Sequence, residues 1–194
     1  MKTKLVIAVL ACLVIVLSSC ILIEHVFPLL LYRHRDPQVK ANLFILIERA
    51  NGKETIEAGN VLTNDFENCA RDAFGFGNAS ISTNQTKWIS LSNDAAPAAT
   101  WTKLTNEVAA NGFSRALGTV TAWLNGTDYA YNVTKTFTAT GAQQLQCAGL
   151  NWNDTPQSDN NLAACASFTQ TTFQATAGAP DNATFIWVIT FDFN

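Results

Sequence analysis

Residues 129–140 carry the pattern that most restricts the fold of this chain, because apolar and polar side chains alternate there one by one. The odd positions include Tyr131, Val133 and Phe137, whereas the even positions are mostly threonine, with Asn132 among them. Successive side chains of a strand point to opposite faces of a sheet, so this period of two predicts a strand buried on one face. The segment is therefore expected in a sheet that covers a core.

Further strand signals follow at short spacing along the chain. The predicted strands cover residues 41–47, 55–62, 88–91, 119–124, 129–140, 144–150, 162–170 and 185–193. Asn51-Gly52 and Asn125-Gly126 are hairpin turn signals between two of the pairs.

Helical signals are few by comparison. Asn64 and Glu67 form a capping-box-like pair that predicts a helix to about Phe74, and residues 102–110 favour one or two helical turns. The fold class predicted is all-β: a single jelly-roll-like β-sandwich over residues 39–194 with one short helix.

The N-terminus predicts export. A short basic segment precedes apolar residues 5–17 and small residues, which is the layout of a signal peptide over residues 1–20. The Leu-Ser-Ser-Cys sequence ending at Cys20 also matches a lipobox, in which Cys20 would be lipidated. A third interpretation is an uncleaved anchor, since residues 5–23 are 19 uncharged positions. All three place the body of the protein in a secreted or cell-surface location, with membrane contact only during export or through the anchor.

A hydrophobic N-terminal arm, residues 21–38, separates the signal from the sandwich. Its predicted contact residues are Ile21, Ile23, Val26, Phe27, Leu29 and Leu31. Burying five such side chains is worth roughly 1.5–3 kcal/mol each, or ~10 kcal/mol together. Such a segment must enter its own core, a membrane or a neighbouring subunit, where it would add a strand to a sheet. Pro28 favours two shorter strands over one long strand.

Glycosylation signals and cysteines agree with an extracellular location. Asn-X-Ser/Thr sequons begin at Asn78, Asn84, Asn125, Asn132, Asn153 and Asn182. In an oxidising compartment Cys147 and Cys165 could form a disulfide, although connectivity cannot be read from sequence and buried thiols are the alternative.

The residues that catalysis requires are scarce. The only histidines, His25 and His34, precede the predicted sandwich, so a Ser-His-Asp or Cys-His site within it lacks its base. No CxxC pair and no glycine-rich phosphate loop occur, and the net charge is −3. We therefore expect no enzyme, no cofactor, no Cys/His metal site and no nucleic-acid partner. Residues 151–161 are oxygen-rich and could hold a structural calcium ion, but polar loops often have this composition.

Three segments carry a resemblance to known proteins: residues 87–100 (KWISLSNDAAPAAT), 104–107 and 112–119. These segments resemble a β-sandwich domain of phage tail-fibre-like proteins and subunits of archaeal extracellular filaments such as threads and cannulae. The resemblance covers about residues 40–194. It implies donor-strand assembly, in which residues 21–35 insert into the next subunit, and a glycosylated surface.

Two functions follow as hypotheses. The first is a structural subunit of an extracellular filament, a homopolymer of identical subunits. The alternative is a membrane- or lipid-anchored surface adhesin or carbohydrate-binding domain, whose partners would be surface glycans or neighbouring cells. Trp88, Trp101 and Trp152 could stack on sugars, although packing is the more common use of tryptophan.

Overall fold

The computed structural model describes residues 38–67, 86–95, 97–125 and 128–192. Strands dominate these ranges. They are β1 (Gln38–Arg49), β2 (Gly52–Ala58), β3 (Asn60–Leu62), β4 (Trp88–Ser92), β5 (Ala116–Leu117), β6 (Thr119–Asn125), β7 (Asp128–Thr138), β8 (Gln143–Asn151), β9 (Leu162–Phe173) and β10 (Asn182–Asp192).

The strands form two antiparallel sheets. The first sheet has the order β2-β1-β10-β7-β6, and the second has the order β3-β9-β8-β4-β5. The predicted all-β sandwich is thus confirmed, whereas the jelly-roll connectivity stays a prediction.

The core of the first sheet is centred on β1 and β10. Leu43 lies opposite Trp187, and Ile45 lies opposite Phe185. All four side chains are fully buried, and each contributes roughly 1.5–3 kcal/mol through burial. Inward residues alternate with outward ones along both strands, as a sheet with one buried face requires.

The alternation of apolar and polar residues in segment 129–140 is present in β7. Val133 and Phe137 are buried, as is Ala139 directly after the strand, whereas Thr136 and Thr138 on the opposite face are exposed. The predicted half-buried strand is confirmed, and it lies between β10 and β6.

A loop residue, Phe113, fills the space between the sheets. Its ring centroid lies 5.1 Å from that of Phe173 and 6.1 Å from that of Phe137. The preceding turn places Gly112 at φ +87°, where a Cβ would overlap the carbonyl oxygen of Thr138. Glycine is required there, because both the backbone angle and the space exclude a side chain.

The single strand predicted over residues 55–62 is wrong. The structure divides it at Gly59 into β2, which pairs with β1, and β3, which pairs with β9. The chain thus passes from the edge of the first sheet to the edge of the second. Residue pattern alone does not show this change, because polar and apolar positions continue across Gly59.

Two helical predictions also need correction. The helical turn at residues 64–67 is capped by Thr63 rather than Asn64, since the Phe66 N–H donates to Thr63 Oγ1 over 3.3 Å. The predicted continuation to Phe74 lies outside the described residues. Residues 102–110 hold turns and a β-bridge between Ser92 and Glu107 instead of helix.

Candidate functional site

The second sheet is incomplete along one edge in the part of the chain that the structure describes. β3 pairs with only Ala164, Cys165 and Ala166 of β9. The remainder of β9, residues 167–173, has no described strand on its outer side. On its inner side, Ser167 and residues 171–173 pair with β8 across a register shift at residues 168–170. At this edge Thr171 Oγ1 donates to the carbonyl of Thr169 over 2.9 Å within the same strand. Unpaired backbone groups are a template for an added strand.

A groove of about 400 Å³ runs along this edge. One wall is β9 at residues 169–172, and the other is formed by Arg49, Glu54 and Ile56 of the first sheet. Ile56 is half-buried and packs against the main core. The groove therefore combines an open strand edge with an apolar contact near its floor. We refer to it as the β9 groove.

Arg49 supplies an unused donor in the β9 groove. Its Nε atom is buried and has no hydrogen-bond partner. The guanidinium carbon lies 5.9 Å from the ring centroid of Phe173, and Nη2 lies 3.9 Å from Glu54 Oε2. A buried N–H without an acceptor is costly, and a carbonyl of an added strand would satisfy it.

A second polar feature is a buried ion pair between Arg115 and Glu107, whose side chains are each 2% exposed. Two parallel hydrogen bonds of 2.7 Å join Nε and Nη2 of Arg115 to the two oxygens of Glu107. Arg115 Nη1 also donates to the carbonyl of Asn153 over 3.0 Å, and Glu107 Oε2 accepts from the Gln157 N–H. The pair thus fixes the loop before β5 to the loop after β8.

Asp94 extends this network in the loop that follows β4. Its carboxylate accepts hydrogen bonds from the Ser92 hydroxyl, from the Asn106 backbone N–H and from the Asn106 side-chain amide. These contacts lie within 2.7–3.1 Å. The arrangement holds a long connection in place.

The oxygen-rich loop at residues 151–161 is organised by an amide. Asn161 Oδ1 accepts from the N–H groups of Trp152 and Asn153, and its Nδ2 donates to Asn153 Oδ1 and to the Thr155 carbonyl. Asp159 is exposed and forms an ion pair with Lys103 at 2.9 Å. In the described residues, no group of three or more His, Cys, Asp or Glu side chains converges on a point. Bound calcium stays untested.

Cys147 and Cys165 are buried free thiols in one small apolar cluster. They are diagonal neighbours, since Cys165 lies opposite Gly149 and Cys147 lies opposite Ser167. Burial raises the pKa of each thiol to about 12. Diagonal positions are typically about 7–8 Å apart, which is longer than the Cα separation of most disulfides. The candidate disulfide therefore stays a prediction that thiol counting would test.

The sequons differ in setting. Asn132, Asn153 and Asn182 are half-buried. Asn153 Oδ1 accepts from Asn161 and from the Thr155 N–H, and Asn182 Oδ1 accepts from Thr138. Asn125 ends β6, while Asn78 and Asn84 lie outside the described residues.

The tryptophans that were candidates for sugar stacking are all half-buried. Trp152 stacks on Phe66 with ring centroids 6.1 Å apart, and Trp101 packs against the cluster that contains Cys147. These contacts give both residues a packing role.

The signal peptide, Cys20 and the donor segment at residues 21–35, which the sequence predicts, lie outside the described residues. The described part of the chain contains no helix long and apolar enough to cross a membrane.

The β9 groove and the Arg115–Glu107 pair were not expected from the sequence. A groove depends on which strands pair, and no residue pattern reports that. One feature of the sequence could have indicated the ion pair, since Arg115 and Glu107 are among the very few charged residues in segment 93–118.

Comparison with protein-family models, with curated proteins and with solved structures gave no match to this chain.

Proposed function

We propose that this chain is a non-catalytic structural subunit of an extracellular filament, which polymerises when the N-terminal arm of one subunit adds a strand to the next. The observation that carries the proposal is the open edge of β9 beside the β9 groove. Strand addition needs an acceptor edge and an extended donor, and this chain offers a candidate for each.

The acceptor edge is long enough for a strand. Residues 167–173 cover at most about 23 Å at ~3.3 Å per residue, and the register shift at residues 168–170 shortens this length locally. An added strand here would continue the row that β3 begins. The β9 groove also offers the buried Nε–H of Arg49 to a carbonyl acceptor.

The donor is residues 21–35, in which five apolar side chains would share one face of an extended segment: Ile21, Ile23, Phe27, Leu29 and Leu31. Burial of these five side chains is worth ~10 kcal/mol, which is comparable with the stability of a whole domain. A head-to-tail contact of this kind does not close on itself and so produces an open polymer.

Negative-stain electron microscopy of the exported full chain tests the proposal. Filaments of one diameter are expected, and deletion of residues 21–35 should abolish them. Substitution of Gln170 by arginine should shorten or abolish the filaments by filling the β9 groove, whereas arginine at the exposed Thr55 of β2 serves as the matched control.

Dispersed chains from the unmodified protein would refute polymerisation. Particles held together only by detergent or lipid would favour the alternative, a membrane- or lipid-anchored adhesin. Filaments that survive the Gln170 substitution while requiring residues 21–35 would place the acceptor edge elsewhere.

A further inference from the structure

The first sheet ends in two edge strands of opposite character. β2 contains Lys53, Glu54 and Glu57, so three of its seven residues are charged. β6 also has seven residues and carries neither a charge nor a proline. Charges and prolines on an edge strand prevent pairing with other chains. β2 has that protection, and β6 lacks it.

The exposure of β6 strengthens the contrast. Thr119, Val120, Thr121 and Ala122 are consecutive and all exposed, so this half of the strand is uncovered on both faces. Val120 is 47% exposed and is one of the few large apolar side chains at the surface of the described residues. On its inner side β6 pairs with β7, and on its outer side it has no described partner.

We propose that β6 is a self-pairing edge, which joins the β6 of a second copy of this chain in antiparallel register about Ala122. This register pairs all seven positions, with Ala122 against Ala122, Thr121 against residue 123 and Val120 against residue 124. At each end of the strand pair, Thr119 of one copy lies opposite residue 125 of the other. No like charges meet in it, and two first sheets join into one continuous sheet across a two-fold axis.

The second copy is favoured as the occupant because the strand can form the same backbone hydrogen bonds with itself and carries no charge that would repel an identical strand. The contact is small, since one strand pair about 23 Å long buries far less than the ~1,600 Å² of a standard interface. Pairing is therefore weak between dispersed subunits. Repetition along two polymers would make it strong through effective concentration, so β6 is a candidate for lateral association. The pairing itself does not depend on the proposed polymerisation.

Disulfide trapping of the full exported chain tests the register. Cysteine at Ala122 (A122C) would face itself across the two-fold axis, where directly opposite Cβ atoms lie about 4.5–5.5 Å apart. The control is T55C, an exposed position on the protected edge strand β2. Each variant is oxidised mildly beside the unmodified chain, which already contains five cysteines. We expect at least about tenfold more covalent dimer from A122C than from either control.

Sedimentation at raised protein concentration provides the second measurement. A122K places like charges directly opposite each other in the pair and should reduce the dimer fraction severalfold, whereas T55K should leave it unchanged. No excess dimer from A122C, or equal association of both lysine variants, would overturn the inference. Excess dimer from A122C in a preparation without filaments would sustain it and would count against the proposed filament alone.

Discussion

Replacement of Arg115 by methionine should destabilise the fold strongly. The substitution removes the cation and three hydrogen bonds and leaves the carboxylate of Glu107, 2% exposed, without its partner. Breaking a buried ion pair from one side typically costs about 3–5 kcal/mol, because the remaining charge is neither hydrated nor compensated. At ~2–4 °C per kcal/mol for a domain of this size, the melting temperature should fall by about 6–20 °C.

The assay is differential scanning calorimetry of the purified chain at neutral pH. Lys53→Met is the control, because the Lys53–Glu48 pair is exposed at the surface and its loss should change stability by less than about 1 kcal/mol. Combining Glu107→Gln with Arg115→Met should cost less than Arg115→Met alone, since no buried charge then remains. A loss below about 1 kcal/mol for Arg115→Met, or a double variant less stable than the single one, would refute the reasoning.

Three further outcomes are expected. Gly112→Ala should destabilise the fold by about 1–3 kcal/mol through backbone strain and overlap, while Gly59→Ala, with nothing within 4 Å of a new Cβ, should be nearly neutral in urea unfolding. Burial raises the pKa of the Cys147 and Cys165 thiols to about 12, so both should resist maleimide at pH 8 in the folded state and react after denaturation. Because folding favours the neutral thiols, their contribution to the free energy of unfolding should be level below about pH 8.5 and fall between about pH 8.5 and 12. Fast labelling of the folded chain would contradict the burial of the two thiols. Thr63→Val should cost about 1–2 kcal/mol in thermal unfolding, since it removes the helix cap, and an unchanged melting temperature would exclude that role.

The sequence predicted the strands because their signal is local. In β7 the burial of Val133 and Phe137 follows directly from alternation, and the apolar run in β1 marks a central strand. The turn between β1 and β2 was found through Asn51-Gly52, because the φ/ψ demands of a tight hairpin restrict it to few residue types.

The features that were missed depend on distant partners. The break at Gly59 is decided by the pairing of β2 with β1 and of β3 with β9. The local pattern of residues 102–110 favours a helix. In the structure, however, Glu107 accepts hydrogen bonds from Arg115 and from the backbone N–H of Gln157, which follows β8. The β9 groove arises because β3 covers only part of its neighbour. None of these contacts between distant residues produces a periodic pattern in the sequence.

The pairing of β1 with β10 has a consequence for the order of folding. These strands are neighbours over their whole length, from Gln38 opposite Asp192 to Glu48 opposite Asn182, although more than a hundred residues separate them in sequence. Contacts between such distant segments form late and slow the search for the native state. During synthesis, β1 and β7 have no partner between them until β10 has emerged. The nascent chain therefore passes through a stage in which the two central edges of the first sheet are open at once. Open strand edges of this kind make a folding intermediate prone to aggregation.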